Sequence, residues 1–152
     1  MISVLFVCQG NICRSPTLAA VLDKFAKEKK LHLTADSCGI GWVHLGEHPN
    51  PQMFQLAKEK GILIDHRAQQ FQDSFFEEFD HIFAVDEDIL EQLKLRSALP
   101  AHRAKLQLAT AYSKKHRGRS IPDPYYLSKD GFHAVMEMIL DACHGIIDEL
   151  SL

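Results

Sequence analysis

Residues 4–16 read VLFVCQGNICRSP, and the reading of this stretch decides the fold. Val4-Leu5-Phe6-Val7 reads as a buried strand, a short apolar run bounded by a loop. Cys8 to Arg14 follows as a tight loop holding two cysteines, a glycine, an asparagine and an arginine. Ser15 is placed to cap a helix, with Pro16 at its first position, where a missing N–H costs nothing. Successive backbone N–H groups ahead of a helix N-terminus form a concave anion site. A cysteine at the floor of such a site is expected to be nucleophilic at neutral pH.

Outward from this loop, Thr17 to Lys30 carries Leu18, Val21, Leu22 and Phe25 at helical spacing and ends in lysines that suit a helix C-terminus. Leu31 to Ser37 alternates as a strand does, which completes a βαβ unit with a right-handed crossover. Residues Cys38 to Pro51, with the sole tryptophan Trp42, form a long loop beside the anion site. A helix over about Pro51 to Lys60 stops at Gly61, and Asp73 or Ser74 can cap a short helix through Glu78. His81 to Val85 reads as a third buried strand, followed by a helix marked by Ile89, Leu90, Leu93 and Leu95. Ala101 to Leu108 is read as a fourth, edge strand, Tyr112 to Pro122 as a loop, and about Lys129 to Leu150 as a final amphipathic helix. The alternation predicts an α/β single three-layer domain, a four-stranded parallel sheet flanked by helices on both faces. Ligands of such sheets sit beyond the carboxyl ends of the strands, where the opening loop emerges.

The 152 residues are enough to bury a core in one domain, and 46% hydrophobic with 24% charged residues is an ordinary globular balance. A formal net charge of −3 argues against a nucleic-acid partner. No apolar run approaches the roughly 18–20 residues that span a bilayer, so no membrane partner is expected. The N-terminus MISVLFVC lacks the charged region of a signal peptide. The four cysteines, Cys8, Cys13, Cys38 and Cys143, are too few and too unevenly spaced for a secreted disulfide framework. A cytoplasmic location is expected.

Cys8 and Arg14 are separated by five residues, enough to curl once around a tetrahedral oxyanion. An arginine there can make bidentate contacts to two of its oxygens, while a thiolate attacks phosphorus in line. Gly10 and Asn11 tolerate a positive φ, and Ser15 can hydrogen-bond the Cys8 sulfur. A lone cysteine after an apolar strand is usually a small buried hydrophobe, and Cys-x5-Arg alone arises by chance. The whole of CQGNICRSP between a strand and a helix is far more specific.

Val7 to Pro16 resembles throughout the signature of the low-molecular-weight protein tyrosine phosphatases: a valine, then Cys-x-Gly-Asn-Ile-Cys-Arg-Ser-Pro. The resemblance extends over nearly the whole chain, through Ser37-Cys38-Gly39, His66-Arg67-Ala68, Asp80 to Asp86 and Asp123-Pro124-Tyr125-Tyr126. It implies metal-independent, cofactor-free hydrolysis of phosphotyrosine or another aryl phosphate monoester through a phosphocysteine. Cys8 is then implied as nucleophile, Arg14 as phosphate clamp and Asp123 as the acid that protonates the leaving phenolate. Gln9, Gly10, Asn11, Ile12, Cys13 and Ser15 complete the implied phosphate loop; Asn11 holds its backbone, Ser15 pairs with the thiolate, and Cys13 is a redox partner of Cys8. Trp42, Tyr125 and Tyr126 are assigned to the walls of a slot for the aryl ring. The implied partner is a phosphotyrosine protein or a small aryl phosphate, and the implied assembly a monomer or weak homodimer.

Several positions depart from the family pattern. The slot aromatic is expected two residues before the usual valine-glycine pair, which by count from Gly46 is Val43, one residue after Trp42. Either the loop shifts to present Trp42, or Val43 gives the slot an aliphatic wall. The usual Asp-Pro-Arg is Asn50-Pro51-Gln52, the arginine after His66-Arg67-Ala68 is Gln69, and an asparagine after Asp86 is Ile89. Two related activities fit less well. A thioredoxin-coupled arsenate reductase needs two further cysteines, and Ile82 to Leu95 holds none. A protein-arginine phosphatase carries threonine where this chain has Ile12, whose apolar side chain suits an aromatic substrate better than a guanidinium.

Overall fold

A computed structural model describes residues 1–124 and 129–152. Four parallel strands, β1 (Ile2–Cys8), β2 (Leu33–Gly39), β3 (His81–Ala84) and β4 (Leu106–Leu108), lie in the order β2-β1-β3-β4. Val4, Leu5, Phe6 and Val7 are all fully buried, as a central strand covered on both faces requires. Phe6 and Phe83 stack across β1 and β3 with ring centroids 5.6 Å apart, which anchors the strand register at the centre of the core.

The helices follow from the strand order. The chain leaves β1 in one direction through α1 (Arg14–Glu28) to β2, and leaves β3 in the other through α4 (Glu87–Arg96) to β4. Right-handed crossovers of opposite direction put α1 and α4 on opposite faces. The long α6 (Lys129–Leu150) packs on the α1 side, where the Cys143 thiol donates to Leu18 O at 3.5 Å and His144 stacks on Phe25. The remaining elements are α2 (Pro51–Glu59) and two single-turn helices, α3 (Phe75–Glu78) and α5 (Pro100–Arg103). Among the described residues no helix is long and apolar enough to cross a membrane.

Two local expectations are corrected. The segment expected as a strand from Ala101 is a helical turn begun by Pro100, and only Leu106–Leu108 pairs with β3. Proline pre-sets the φ of a first helical turn, and the backbone follows it until Lys105. The helix expected to be capped by Ser15 and to start at Pro16 begins two residues earlier, at Arg14, with Cys13 as its cap residue. Thr17 secures that first turn, its hydroxyl donating to Cys13 O at 2.7 Å. The Ser15 side chain is turned away from the helix to another partner.

The connections that leave β1 and β3 run in opposite directions along the sheet, so the crevice between the carboxyl ends of these two strands is its topological switch point. The loop after Cys8 and the residues after Ala84 meet there.

Candidate active site

The loop from Cys8 to Arg14 is wound around its own first residue. The Asn11 backbone N–H donates to Cys8 Sγ at 3.1 Å, and Ser15 Oγ stands 2.8 Å from the same sulfur. Ser15 therefore serves the sulfur instead of capping the helix. For a thiolate, both contacts are donors to the charged form, and both stand at the N-terminal end of α1, where partial positive charge favours an anion.

Asn11 is the keystone of the loop. It is fully buried and has φ of 58°, a left-handed conformation that asparagine tolerates better than most residues. Its amide Nδ2 donates to Ser15 Oγ at 2.8 Å and to Ser37 Oγ at 3.0 Å. Its Oδ1 accepts from the Gln69 backbone N–H and lies 2.8 Å from His66 Nε2. The loop is thus tied to β2 and to the strand-like segment before Phe71. Gly39 allows this closeness: a Cβ there would stand 2.7 Å from Gln9 O and 3.1 Å from the Asn11 nitrogen. That contact explains the glycine at the end of β2, because any larger residue at 39 would push the loop off the strand.

Arg14 is buried, and its Nη1 donates both to Asp86 Oδ2 and to Ile121 O, each at 2.8 Å. Among the described residues Nε and Nη2 make no hydrogen bond, and Arg14 lines the pocket. Asp86 does two jobs at once, since its Oδ1 accepts from Ile89 N–H and caps α4. The sequence does not signal the ion pair, because the partners are 72 residues apart.

Cys8, Asn11 and Arg14 line a pocket of about 270 Å³ together with Gln9, Gly10, Ile12, Cys13, Gly41, Val43, His44, Asn50 and the half-buried Asp123. The structure therefore brings Cys8, Arg14 and Asp123 to one cavity. Tyr125 and Tyr126 lie outside the described residues. Trp42 is not in the lining: its side chain is 69% exposed, and Val43 occupies the rim. Of the two alternatives for the slot wall, Val43 lines the described pocket and Trp42 does not. A turn at residues 43–46, fixed by Leu45 N–H to Trp42 O and Gly46 N–H to Ala68 O, carries Val43 and His44.

Burial together with repulsion from Cys8 and Asp123 pushes the Cys13 thiol well above its ordinary range, only partly offset by Arg14. Burial raises Cys38 and Cys143 likewise. These three sulfurs are neutral thiols at physiological pH. Among the described residues no three His, Cys, Asp or Glu side chains converge as a metal site requires.

Asn50 and Gln69 are accommodated by hydrogen bonds, Gln69 Nε2 also donating to Asp36 Oδ2 at 3.4 Å. Asn50 caps α2 by accepting from Gln52 and Met53 N–H, and its own N–H donates to Ile12 O at 2.7 Å. Gln69 Nε2 donates to Ser37 O at 2.9 Å. Ile89 is simply core. Sequence reasoning missed His44 as a lining residue; its proximity to the signature loop exists only in three dimensions. His66 reads from sequence as a structural hydrogen-bonder, and its ring does bond Asn11, with nothing in the sequence to name that partner.

Residues 3–151 match the family model of the low molecular weight phosphotyrosine protein phosphatases. A low molecular weight protein-tyrosine-phosphatase of Streptomyces coelicolor is 38% identical over 148 residues, covering 95% of this chain and 90% of that protein. The crystal structure of a protein tyrosine phosphatase from Entamoeba histolytica, with Hepes in its active site, superposes with a TM-score of 0.94 at 33% identity, covering 99% of this chain and 97% of the other. A Drosophila arginine phosphatase superposes with a TM-score of 0.90 at 31% identity, covering 98% of each chain. With its signature loop wound around Cys8 at the switch point and a family match from end to end, the chain belongs to the low molecular weight phosphotyrosine protein phosphatases.

Proposed function

We infer that the phosphatase reaction of this family is carried here by Cys8, Arg14 and Asp123, acting on phosphotyrosine or a small aryl phosphate. The phosphoryl group sits in the Cys8–Arg14 loop, with backbone N–H groups and the Arg14 fork on its oxygens. The Cys8 thiolate attacks phosphorus in line; an S–P bond forms as the ester P–O bond breaks. Asp123 gives its proton to the departing phenolate oxygen. Asp123, now a carboxylate, takes a proton from water as that water attacks the phosphocysteine. The S–P bond breaks, inorganic phosphate leaves and the thiolate is restored.

One observation carries this reading: the Cys8 sulfur is held by Ser15 Oγ and the Asn11 N–H at the floor of the pocket that Arg14 and Asp123 also line. The half-buried Ile12 favours an aromatic ring over a charged guanidinium in the same cavity. The likeness to an arginine phosphatase makes phosphoarginine the alternative to exclude. Cytoplasmic placement belongs to the same proposal, because a thiolate nucleophile has to stay reduced. So does a monomer or weak homodimer, and so does Cys13 as redox partner, since it lines the same pocket as Cys8. Hydrolysis of phosphotyrosine, phosphoserine and phosphoarginine peptides, with a chelator present, tests the proposal. Preferred turnover of phosphotyrosine that survives the chelator supports it; preferred turnover of phosphoarginine overturns the substrate assignment.

A further inference from the structure

The Arg14 guanidinium leans on the Ile121 carbonyl, 107 residues along the chain, which accepts from Nη1 at 2.8 Å. A carbonyl orients a guanidinium only as well as its own backbone is fixed. Ile121 is fully buried, and its N–H donates to Val85 O at 2.8 Å, just past the carboxyl end of β3. Asp123 follows two residues later and lines the pocket with Arg14. One short backbone segment therefore carries both a support of the phosphate clamp and the acid.

Two side chains tie that segment down, and the reaction above gives neither a role. Thr110 is fully buried two residues past the end of β4, where the Ala109 N–H still pairs with Ala84 O at 2.7 Å. Its hydroxyl donates to Arg119 O at 2.6 Å, and its own carbonyl accepts from Gly118 N–H at 3.2 Å. Thr110 thus closes the neck of the loop at residues 111–117, whose far end is pinned where Asp141 accepts from the N–H groups of Lys114, Lys115 and His116. Ser120 acts from the other side. Its Oγ accepts from Glu87 N–H at 2.9 Å, the first N–H of α4, which the helix itself leaves without a partner. The same helix is capped by Asp86, the ion-pair partner of Arg14, so segment, helix N-terminus and guanidinium form one closed set of contacts. Arg119 and Ser120 are exposed, so side-chain packing does little to fix the backbone here, and these hydrogen bonds do it instead.

We propose that Thr110 and Ser120 are positioning residues of the phosphatase reaction, holding residues 118–121 so that the Ile121 carbonyl sets the Arg14 fork and Asp123 reaches the leaving oxygen. The proposal rests on the roles given above to Arg14 and Asp123. Neither positioning residue lines the pocket, so each acts only through the segment. Thr110→Val keeps the shape of the side chain but puts a methyl where the hydroxyl stands 2.6 Å from Arg119 O. A carbon needs about 3.3 Å from a carbonyl oxygen, so the segment has to move by about 0.7 Å. Displacement on the order of 1 Å at the reacting groups costs up to about 100-fold in rate.

The test measures kcat/KM on p-nitrophenyl phosphate and on phenyl phosphate, whose leaving group depends far more on an acid, together with the inhibition constant of inorganic phosphate. Thr110→Val is expected to lower kcat/KM about tenfold on p-nitrophenyl phosphate and a further three- to tenfold on phenyl phosphate, and to weaken phosphate inhibition about threefold. Thr110→Ser keeps the hydroxyl and is expected to recover at least half of each loss on a logarithmic scale. Ser120→Ala is expected to show the same pattern at about three- to fivefold. Circular dichroism at the assay temperature checks that each variant is folded. Where Thr110→Val is not, Thr110→Ala removes the hydroxyl without the clash and is expected to lose about three- to fivefold with the same dependence on leaving group. Values within twofold of wild type on both substrates overturn the assignment of the residue replaced. An equal loss on both substrates with phosphate inhibition unchanged overturns it too, as does a loss that Thr110→Ser shares in full, since Thr110 would then only fill space. Failure of the roles of Arg14 and Asp123 shows differently: Asp123→Ala would lose no more on phenyl phosphate than on p-nitrophenyl phosphate.

Discussion

Replacing Asn11 by alanine isolates the element on which the site depends. The substitution removes four side-chain hydrogen bonds, to Ser15, Ser37, His66 and Gln69. Ser15 keeps its contact with Cys8, and His66 keeps the Asn11 carbonyl at 3.2 Å. The buried Ser37 hydroxyl and the Gln69 amide lose theirs, at about 1–3 kcal/mol each. Alanine at φ of 58° adds about 1 kcal/mol. The total, about 4 kcal/mol, corresponds to a fall in melting temperature of roughly 10 °C for a chain of this size. Asn11→Gly loses the same bonds without the left-handed penalty and is expected to be about 1 kcal/mol milder. Displacing the Asn11 N–H from Cys8 Sγ by even an ångström is expected to cost about 100-fold in kcat on p-nitrophenyl phosphate. Urea unfolding and steady-state kinetics on the same samples supply both numbers. Asn11→Ala protein within 1 kcal/mol of wild type, and with kcat within about twofold, would refute the keystone argument.

Three further perturbations follow from the geometry. Asp86→Asn can keep the α4 cap but removes the negative charge paired with Arg14; kcat/KM on p-nitrophenyl phosphate is expected to drop about 10- to 100-fold, and an unchanged value would show that the charge of Asp86 does not matter to the clamp. Gly39→Ala drives a methyl into Gln9 O, with an expected loss of about 1–3 kcal/mol in chemical denaturation and a larger proportional loss of turnover than of stability. Burial holds the His66 pKa below its ordinary value, against the opposing pull of its Asn11 hydrogen bond and Asp36. The unfolded chain therefore takes up a proton at His66 before the native state does. Its share of stability is whole above about pH 6.5 and is lost as pH falls from there through the folded value. Unfolding in urea at pH 7 and pH 5.5 should show a larger drop for wild type than for His66→Gln; equal drops would exclude His66 as the group responsible.

Much of the fold was legible because its signals are local. An unbroken apolar run gives β1, helical periodicity gives α1, α4 and α6, and Gly61 and Pro51 bracket α2. Local signals also misled where a tertiary partner competes. Ser15 has the chemistry of a helix cap, but the Cys8 sulfur claims its hydroxyl. Pro100 folds into a helical turn a segment that reads as a strand, and only Leu106–Leu108 reaches β3. The identity of the loop is legible because its function needs consecutive residues: an anion cradle is built from adjacent N–H groups. What supports the loop is not, since Ser37, His66, Gln69 and Asp86 meet it only after folding. Trp42 shows the limit in one residue. The family resemblance leaves Trp42 and Val43 as alternatives for the slot wall, and of the two it is Val43 that lines the described pocket.

The central claim is that Cys8 carries the phosphoryl group, and rapid-quench mass spectrometry of Asp123→Ala protein tests it most directly. With p-nitrophenyl phosphate the leaving group needs little help from an acid, whereas the water step lacks its base. A burst of nitrophenol matching the enzyme concentration is predicted, with one phosphoryl group on the peptide that contains Cys8. Cys8→Ser protein is predicted to show neither burst nor turnover. A burst without a phosphorylated Cys8 peptide, or turnover that survives Cys8→Ser, would contradict the account.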